Sequence, residues 1–179
     1  MKPKSDQDAS GIERRQFVKT MILGAGATAV LASGLWPESV FAAGHTEVLL
    51  LSCMDYRLVD ETERYMNRRG LRDKYDHIVL AGASLGAVTE KYPDWNQTFW
   101  DHLGVAIDLH KIHKVMILDH RDCGAYKLIL GEDFSKHPKK ETEVHATYLK
   151  RLKELIKQKH QELEVELLLM NLAGKVERI

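Results

Sequence analysis

The apolar positions of this chain fall into short runs separated by longer amphipathic stretches. Residues 46–52 form an apolar run between polar neighbours and predict a buried strand. Residues 58–69 carry helical spacing, with Gly70 placed as the stop. Residues 77–80 predict a second strand, ending in the small-residue loop 81–84. Asp94 is placed to cap a helix reaching about His110, with Phe99, Leu103, Val105 and Ile107 along its apolar side. Residues 114–118 read as a third strand, 124–130 as a short helix and 131–138 as a loop. A long amphipathic helix follows over 141–160, where Val144, Tyr148, Leu152, Leu155 and Ile156 share a side. Residues 163–170 are a strand, and Ala173-Gly174 turns the chain into a short strand over 176–179. The alternation predicts an α/β fold: a mostly parallel sheet flanked by helices, with an antiparallel C-terminal edge.

The N-terminal stretch breaks this pattern. It is polar to Glu13, continues as Arg14-Arg15-Gln16-Phe17-Val18-Lys19, and then runs uncharged and rich in Gly and Ala over 21–35. That run is shorter than the roughly 20 residues a helix needs to cross a bilayer core. Small residues around Val40-Phe41-Ala42 complete a secretory signal with cleavage expected after Ala42. The arginine pair, Phe17 and Lys19 resemble the twin-arginine export signal, an address read by a receptor. Residues 1–42 are therefore expected to engage the twin-arginine translocase and to deliver residues 43–179, as one domain, to the periplasm.

Composition sharpens the picture by exclusion. The full chain of 179 residues has formal net charge +0, 44% hydrophobic residues and 29% charged ones. Residues 43–179 carry 21 Lys and Arg against 22 Asp and Glu. Such balance gives no electrostatic basis for binding nucleic acid, and the apolar fraction excludes a disordered chain. Two cysteines are too few for a disulfide framework.

Those cysteines stand at strand ends. Cys53 follows the first strand, in Cys53-Met54-Asp55-Tyr56-Arg57; His120 and Cys123 follow the third, in Asp119-His120-Arg121-Asp122-Cys123-Gly124. Carboxyl ends of neighbouring strands in an open α/β sheet face one crevice. Two thiolates and an imidazole suit zinc, with the fourth tetrahedral position free for water, which is the catalytic pattern. Alternation along the chain lets Cys53, Asp55 and Arg57 point the same way. An Asp paired with an Arg stays ionised and can orient a zinc-activated water. A disulfide between the two cysteines is the competing reading in an oxidising compartment; His120 and the Asp55–Arg57 pair favour zinc. His102, His110 and His113 read as surface or helix-end residues, and Trp95, Phe99 and Trp100 as packing residues of a core or a dimer seam.

Cys-x-Asp-x-Arg followed by His-x-x-Cys-Gly resembles the β-class carbonic anhydrases, and the resemblance runs from about Val48 to Ile179. Ala81-Gly82 resembles that family's glycine loop, and the strand pair around Ala173-Gly174-Lys175 its sheet edge. The resemblance implies zinc on Cys53, His120 and Cys123, a dyad of Asp55 and Arg57, a homodimer or higher homo-oligomer, and reversible hydration of carbon dioxide to bicarbonate. It also implies alternatives on the same site: hydrolysis of carbon disulfide or carbonyl sulfide, or a zinc-binding protein without turnover. The chain departs from the family pattern at Asp119, where Gly is usual, and at Tyr56, a position commonly small. Tyr56 is expected to line or crowd the pocket.

Overall fold

The computed structural model describes residues 46–179, and the expected export segment over residues 1–42 lies outside the described residues. Among the described residues no helix is long and apolar enough to cross a membrane. Five strands form one sheet: β1 (Val48–Ser52), β2 (Tyr75–Val79), β3 (Lys114–His120), β4 (Glu164–Met170) and β5 (Val176–Arg178). Their order is β2-β1-β3-β4-β5, parallel throughout except for β4 with β5. The helices are α1 (Val59–Arg68), entered through a 3-10 turn (Tyr56–Leu58), then α2 (Ser84–Val88), α3 (Pro93–Val105), α4 (Gly124–Leu130) and α5 (Pro138–Lys159).

Helices on both faces leave the central strands no polar side, and β1 is buried along its whole length. Side chains alternate between the faces. Leu49, Leu51, Val115 and Ile117 pack with Phe99 and Leu103 of α3 and Leu149, Leu152 and Ile156 of α5. Val48, Leu50, Met116 and Leu118 face the other way, with Leu58 and Met66. Each large aliphatic side chain buried so contributes roughly 1.5–3 kcal/mol over exposure. Two cores thus clamp the strands whose carboxyl ends carry the chemistry.

The structure departs from the sequence reading at several elements. β2 begins at Tyr75 rather than residue 77; as the edge strand it buries only Ile78, so its apolar pattern is faint. Asp94 does not cap α3, because Pro93 takes the first helical position after Tyr92 and Asp94 sits in the first turn. Beyond Val105 the chain continues as a wider π turn (Ala106–His110), ended by Lys111 at φ 56°. The buried stripe of α5 runs through Glu141, His145, Leu149, Leu152 and Ile156, with Val144, Tyr148 and Leu155 half-buried beside it. The sequence reading has no counterpart of α2. Its five residues are all buried, so they show no polar face, and a five-residue helix is too short to announce itself by propensity.

Candidate metal centre

Parallel register sets Ser52, the last residue of β1, level with Leu118 of β3. β3 runs two residues further, which carries His120 to the side of Cys53. Consecutive strand residues point to opposite faces, so His120 lies on the face of Leu118 and Asp119 on the face of Ile117. Cys123 arrives from the turn after β3 as the residue that opens α4. The ligand atoms of Cys53, His120 and Cys123 all lie within 4.8 Å of one another. Both cysteines are free, their sulfurs 3.8 Å apart.

His120 Nδ1 lies 2.9 Å from the Arg121 carbonyl. A carbonyl only accepts, so Nδ1 carries the proton and Nε2 keeps a bare lone pair in the neutral ring. Nε2 is buried and has no hydrogen-bond partner, alone in this among the side-chain atoms of the described residues. Of the two sulfurs, Cys53 is the one whose environment favours the thiolate. The Cys123 thiol donates toward it, His120 and the Gly82 N–H (3.3 Å) assist, and burial opposes without cancelling, which brings its pKa down to about 4. Cys123 keeps its proton, its pKa pushed up by that same bond and by burial. Burial opposes a charge on His120, but the Cys53 thiolate and the Arg121 carbonyl shift it upward on balance.

Asp55 opens the 3-10 turn and accepts the Arg57 N–H at 3.0 Å. The Arg57 guanidinium grips its carboxylate with both arms, Nε to Oδ1 at 2.9 Å and Nη2 to Oδ2 at 2.7 Å. Those bonds lower the Asp55 pKa to about 2. Asp55 Oδ2 stands 3.8 Å from His120 Nε2. Arg57 also reaches Asp122, through Oδ2 at 2.8 Å and the carbonyl at 2.9 Å. Asp122 adopts φ 55°, a conformation Asp tolerates better than most residues, and its N–H is accepted by Glu141 at 2.6 Å. Tyr56 does not crowd the site as expected; it is 86% exposed.

Behind the cluster lies a second polar group, fully buried. Asp119 accepts from the Ser84 N–H at 3.0 Å, Ser84 Oγ at 2.6 Å, Tyr126 Oη at 2.6 Å and His145 Nδ1 at 2.8 Å. The sequence reading marks Asp119 only as a departure from the family pattern and reaches none of its partners, nor the roles of Asp122 and Glu141. Two signals mark the group in hindsight: a charge inside the apolar run of β3, and Glu141 and His145 in helical step with Leu149. The remaining residues behave as expected. His110 Nδ1 meets Asp76 at 2.7 Å and His102 Nδ1 the Thr98 carbonyl at 2.8 Å. Phe99 is buried edge-on to Trp100, and Trp95 stacks on Tyr92.

A family model described as "Putative carbonic anhydrase" matches residues 43–179. An uncharacterized protein of Rickettsia bellii is 42% identical over 142 residues, which is 79% of this chain and 87% of that protein. A similar protein of Rickettsia conorii is 40% identical over 142 residues, 79% of this chain and 76% of its own length. Among solved structures, a carbonic anhydrase from Glaciozyma antarctica superposes with a TM-score of 0.50 at 17% identity, covering 87% of this chain and 95% of its own. A variant β-carbonic anhydrase of the fungus Aspergillus fumigatus gives a TM-score of 0.50 at 17% identity, with 76% and 90% covered. At that identity the likeness to the solved structures is one of fold.

Proposed function

The chain belongs to the carbonic anhydrase family matched over residues 43–179, and from that premise we propose that it catalyses the zinc-dependent reversible hydration of carbon dioxide to bicarbonate and a proton. One observation carries the metal part of this reading: the buried, partnerless lone pair of His120 Nε2 beside two sulfurs. A buried polar atom without a partner costs roughly 1–3 kcal/mol, and coordination would supply the partner. Two sulfurs and an imidazole nitrogen fit zinc, with one tetrahedral position to spare. Cys53, His120 and Cys123 would hold it, and bound there it would lower the pKa of a water toward about 7.

The chain's own residues do the rest. The Arg121 carbonyl fixes the His120 tautomer that offers Nε2. Asp55, kept ionised by Arg57, accepts a hydrogen bond from the attacking water and turns a lone pair toward the substrate carbon. Carbon dioxide is small and uncharged, so no charged binding group is required for it. Metal analysis coupled to stopped-flow hydration of carbon dioxide tests the reading. The expected result is about one zinc per chain, the stoichiometry of a three-ligand catalytic site, with hydration above the uncatalysed rate. Zinc-free protein with both thiols reduced would overturn it, whereas turnover of carbon disulfide or carbonyl sulfide in place of carbon dioxide would keep the metal and change the substrate.

Two further parts of the reading concern context. Residues 1–42 act as a twin-arginine signal that routes the folded domain to the periplasm, a reading supported by Arg14-Arg15, Phe17 and Lys19. The working unit is a homodimer. Val79 on the edge strand β2, with Met54, Tyr56 and Val59 near the same strand ends, leaves large apolar side chains exposed, which supports a second copy docking there.

A further inference from the structure

We propose that Asp119 is a positioning residue for the metal centre, the common anchor of all three ligand-bearing segments. The inference rests on the reading that Cys53, His120 and Cys123 hold a metal. Asp119 itself immediately precedes His120 on β3. Its Oδ1 accepts the Ser84 N–H, which pins the turn whose Gly82 N–H donates to Cys53 Sγ. Its Oδ2 accepts the Tyr126 hydroxyl, and Tyr126 lies one turn into α4 from Cys123. Oδ2 also accepts Ser84 Oγ and His145 Nδ1, the latter tying the strand end to α5.

One carboxylate therefore fixes the donor to the first ligand, the backbone of the second and the helix of the third. Asp119 and His145 are only 1% and 2% exposed, so this geometry is held in a low-dielectric interior where each bond is strong. A buried charge survives only when its acceptor sites are filled, and here four donors fill them. The Asp119 side chain points to the opposite face of β3 from His120, the side on which Cys53 and Cys123 pack. Asp119 acts through its neighbours rather than on the reacting atoms.

Asp119→Asn preserves shape and breaks this accounting. If the amide nitrogen faces Ser84 N–H, two donors confront each other. If it takes the Oδ2 position, its two hydrogens cannot serve three partners. The test uses the full chain and measures zinc affinity by chelator competition, together with the visible absorption spectrum of the cobalt(II)-substituted protein. D119N is expected to weaken zinc binding by about 10–100-fold, the usual effect of removing an outer-shell partner, and to alter the cobalt bands. Tyr126→Phe, which removes one donor of four, should weaken binding less but measurably. Ile156→Val, in the apolar core, should lower thermal stability and leave both metal readouts unmoved.

Affinity and cobalt spectra indistinguishable from wild type in D119N would overturn the inference. Should D119N fail to fold, Tyr126→Phe decides in the same way: weakened affinity supports the anchor and unchanged affinity overturns it. Wild-type protein that binds no metal would overturn the metal reading and this inference with it. Bound metal with unmoved affinity in the variants would overturn this inference alone.

Discussion

Arg57 and Asp122 are joined by two hydrogen bonds, Nη1 to Oδ2 at 2.8 Å and Nη2 to the carbonyl at 2.9 Å, across 65 positions of sequence. Since Arg57 also grips Asp55, one guanidinium links the loop of Cys53 to the loop of Cys123. Arg57→Lys supplies a point charge that cannot make this fork. It should reduce carbon dioxide hydration by about 10–100-fold while zinc content stays near wild type. Stopped-flow rates beside metal analysis check it, and a fully active R57K would refute the bridging role.

Asp55→Asn removes the carboxylate but keeps its volume. The three ligands remain, so zinc should still bind. Loss of the group that orients water should lower kcat by about 10²–10⁴-fold, the range for general-base groups. Zinc loss in place of rate loss would instead mark Asp55 as part of the metal-holding framework.

Much of this was written along the chain. The central strands are nearly continuous apolar runs, so β1, β3 and β4 were legible, and so was the cluster of Cys53, His120 and Cys123, because these residues sit where those runs stop. What the sequence could not display is which residues approach from elsewhere. Asp122 looks like any loop acid until Arg57 reaches it. His145 looks like a polar break in the α5 stripe until Asp119, from a strand 26 positions away, is seen to be its partner. Local periodicity reports the face a residue occupies, and partnership depends on the packing of several elements.

Gly86 lies inside the buried helix α2, and a Cβ there would come within 2.3 Å of the Ala81 carbonyl oxygen. The obstacle is backbone, so the turn bearing Gly82 must shift. Gly86→Ala should therefore destabilise the protein by about 1–3 kcal/mol, as overpacking does, despite alanine's better helix propensity. Urea denaturation measures this, and a stability equal to wild type would show that the turn yields freely.

Glu166 on β4 pairs with Arg69 at 2.9 Å and Arg178 at 2.9 Å. Burial raises its pKa, but Arg69 and then Arg178 more than offset this, so the folded-state value lies below the ordinary 4.5. A depressed carboxylate contributes stability that is fully present above its unfolded pKa and fades as pH falls through the folded one. Glu166→Gln should thus cost roughly 0.2–1 kcal/mol at neutral pH. The gap between variant and wild type should close as pH drops below about 4.5. Unfolding free energies across that range check it, and a gap constant with pH would mean that packing, not charge, is what the variant loses.

Stripping the metal should expose an asymmetry between the two cysteines. Thiolate is the form that reacts with iodoacetamide. Cys53, with a pKa near 4 and partial exposure, presents it; Cys123, 7% exposed and protonated, does not. Peptide mass spectrometry of reduced, zinc-free protein at neutral pH should find Cys53 labelled first. Capping Cys53 removes the charge that helps hold the Cys123 proton, but Cys123 stays only 7% exposed, so the second label depends on the protein opening and should appear more slowly. Added zinc should protect both, because each sulfur's lone pair is engaged. Equal labelling rates without zinc would contradict the one-proton pair, and labelling unaffected by zinc would remove both sulfurs from the metal site.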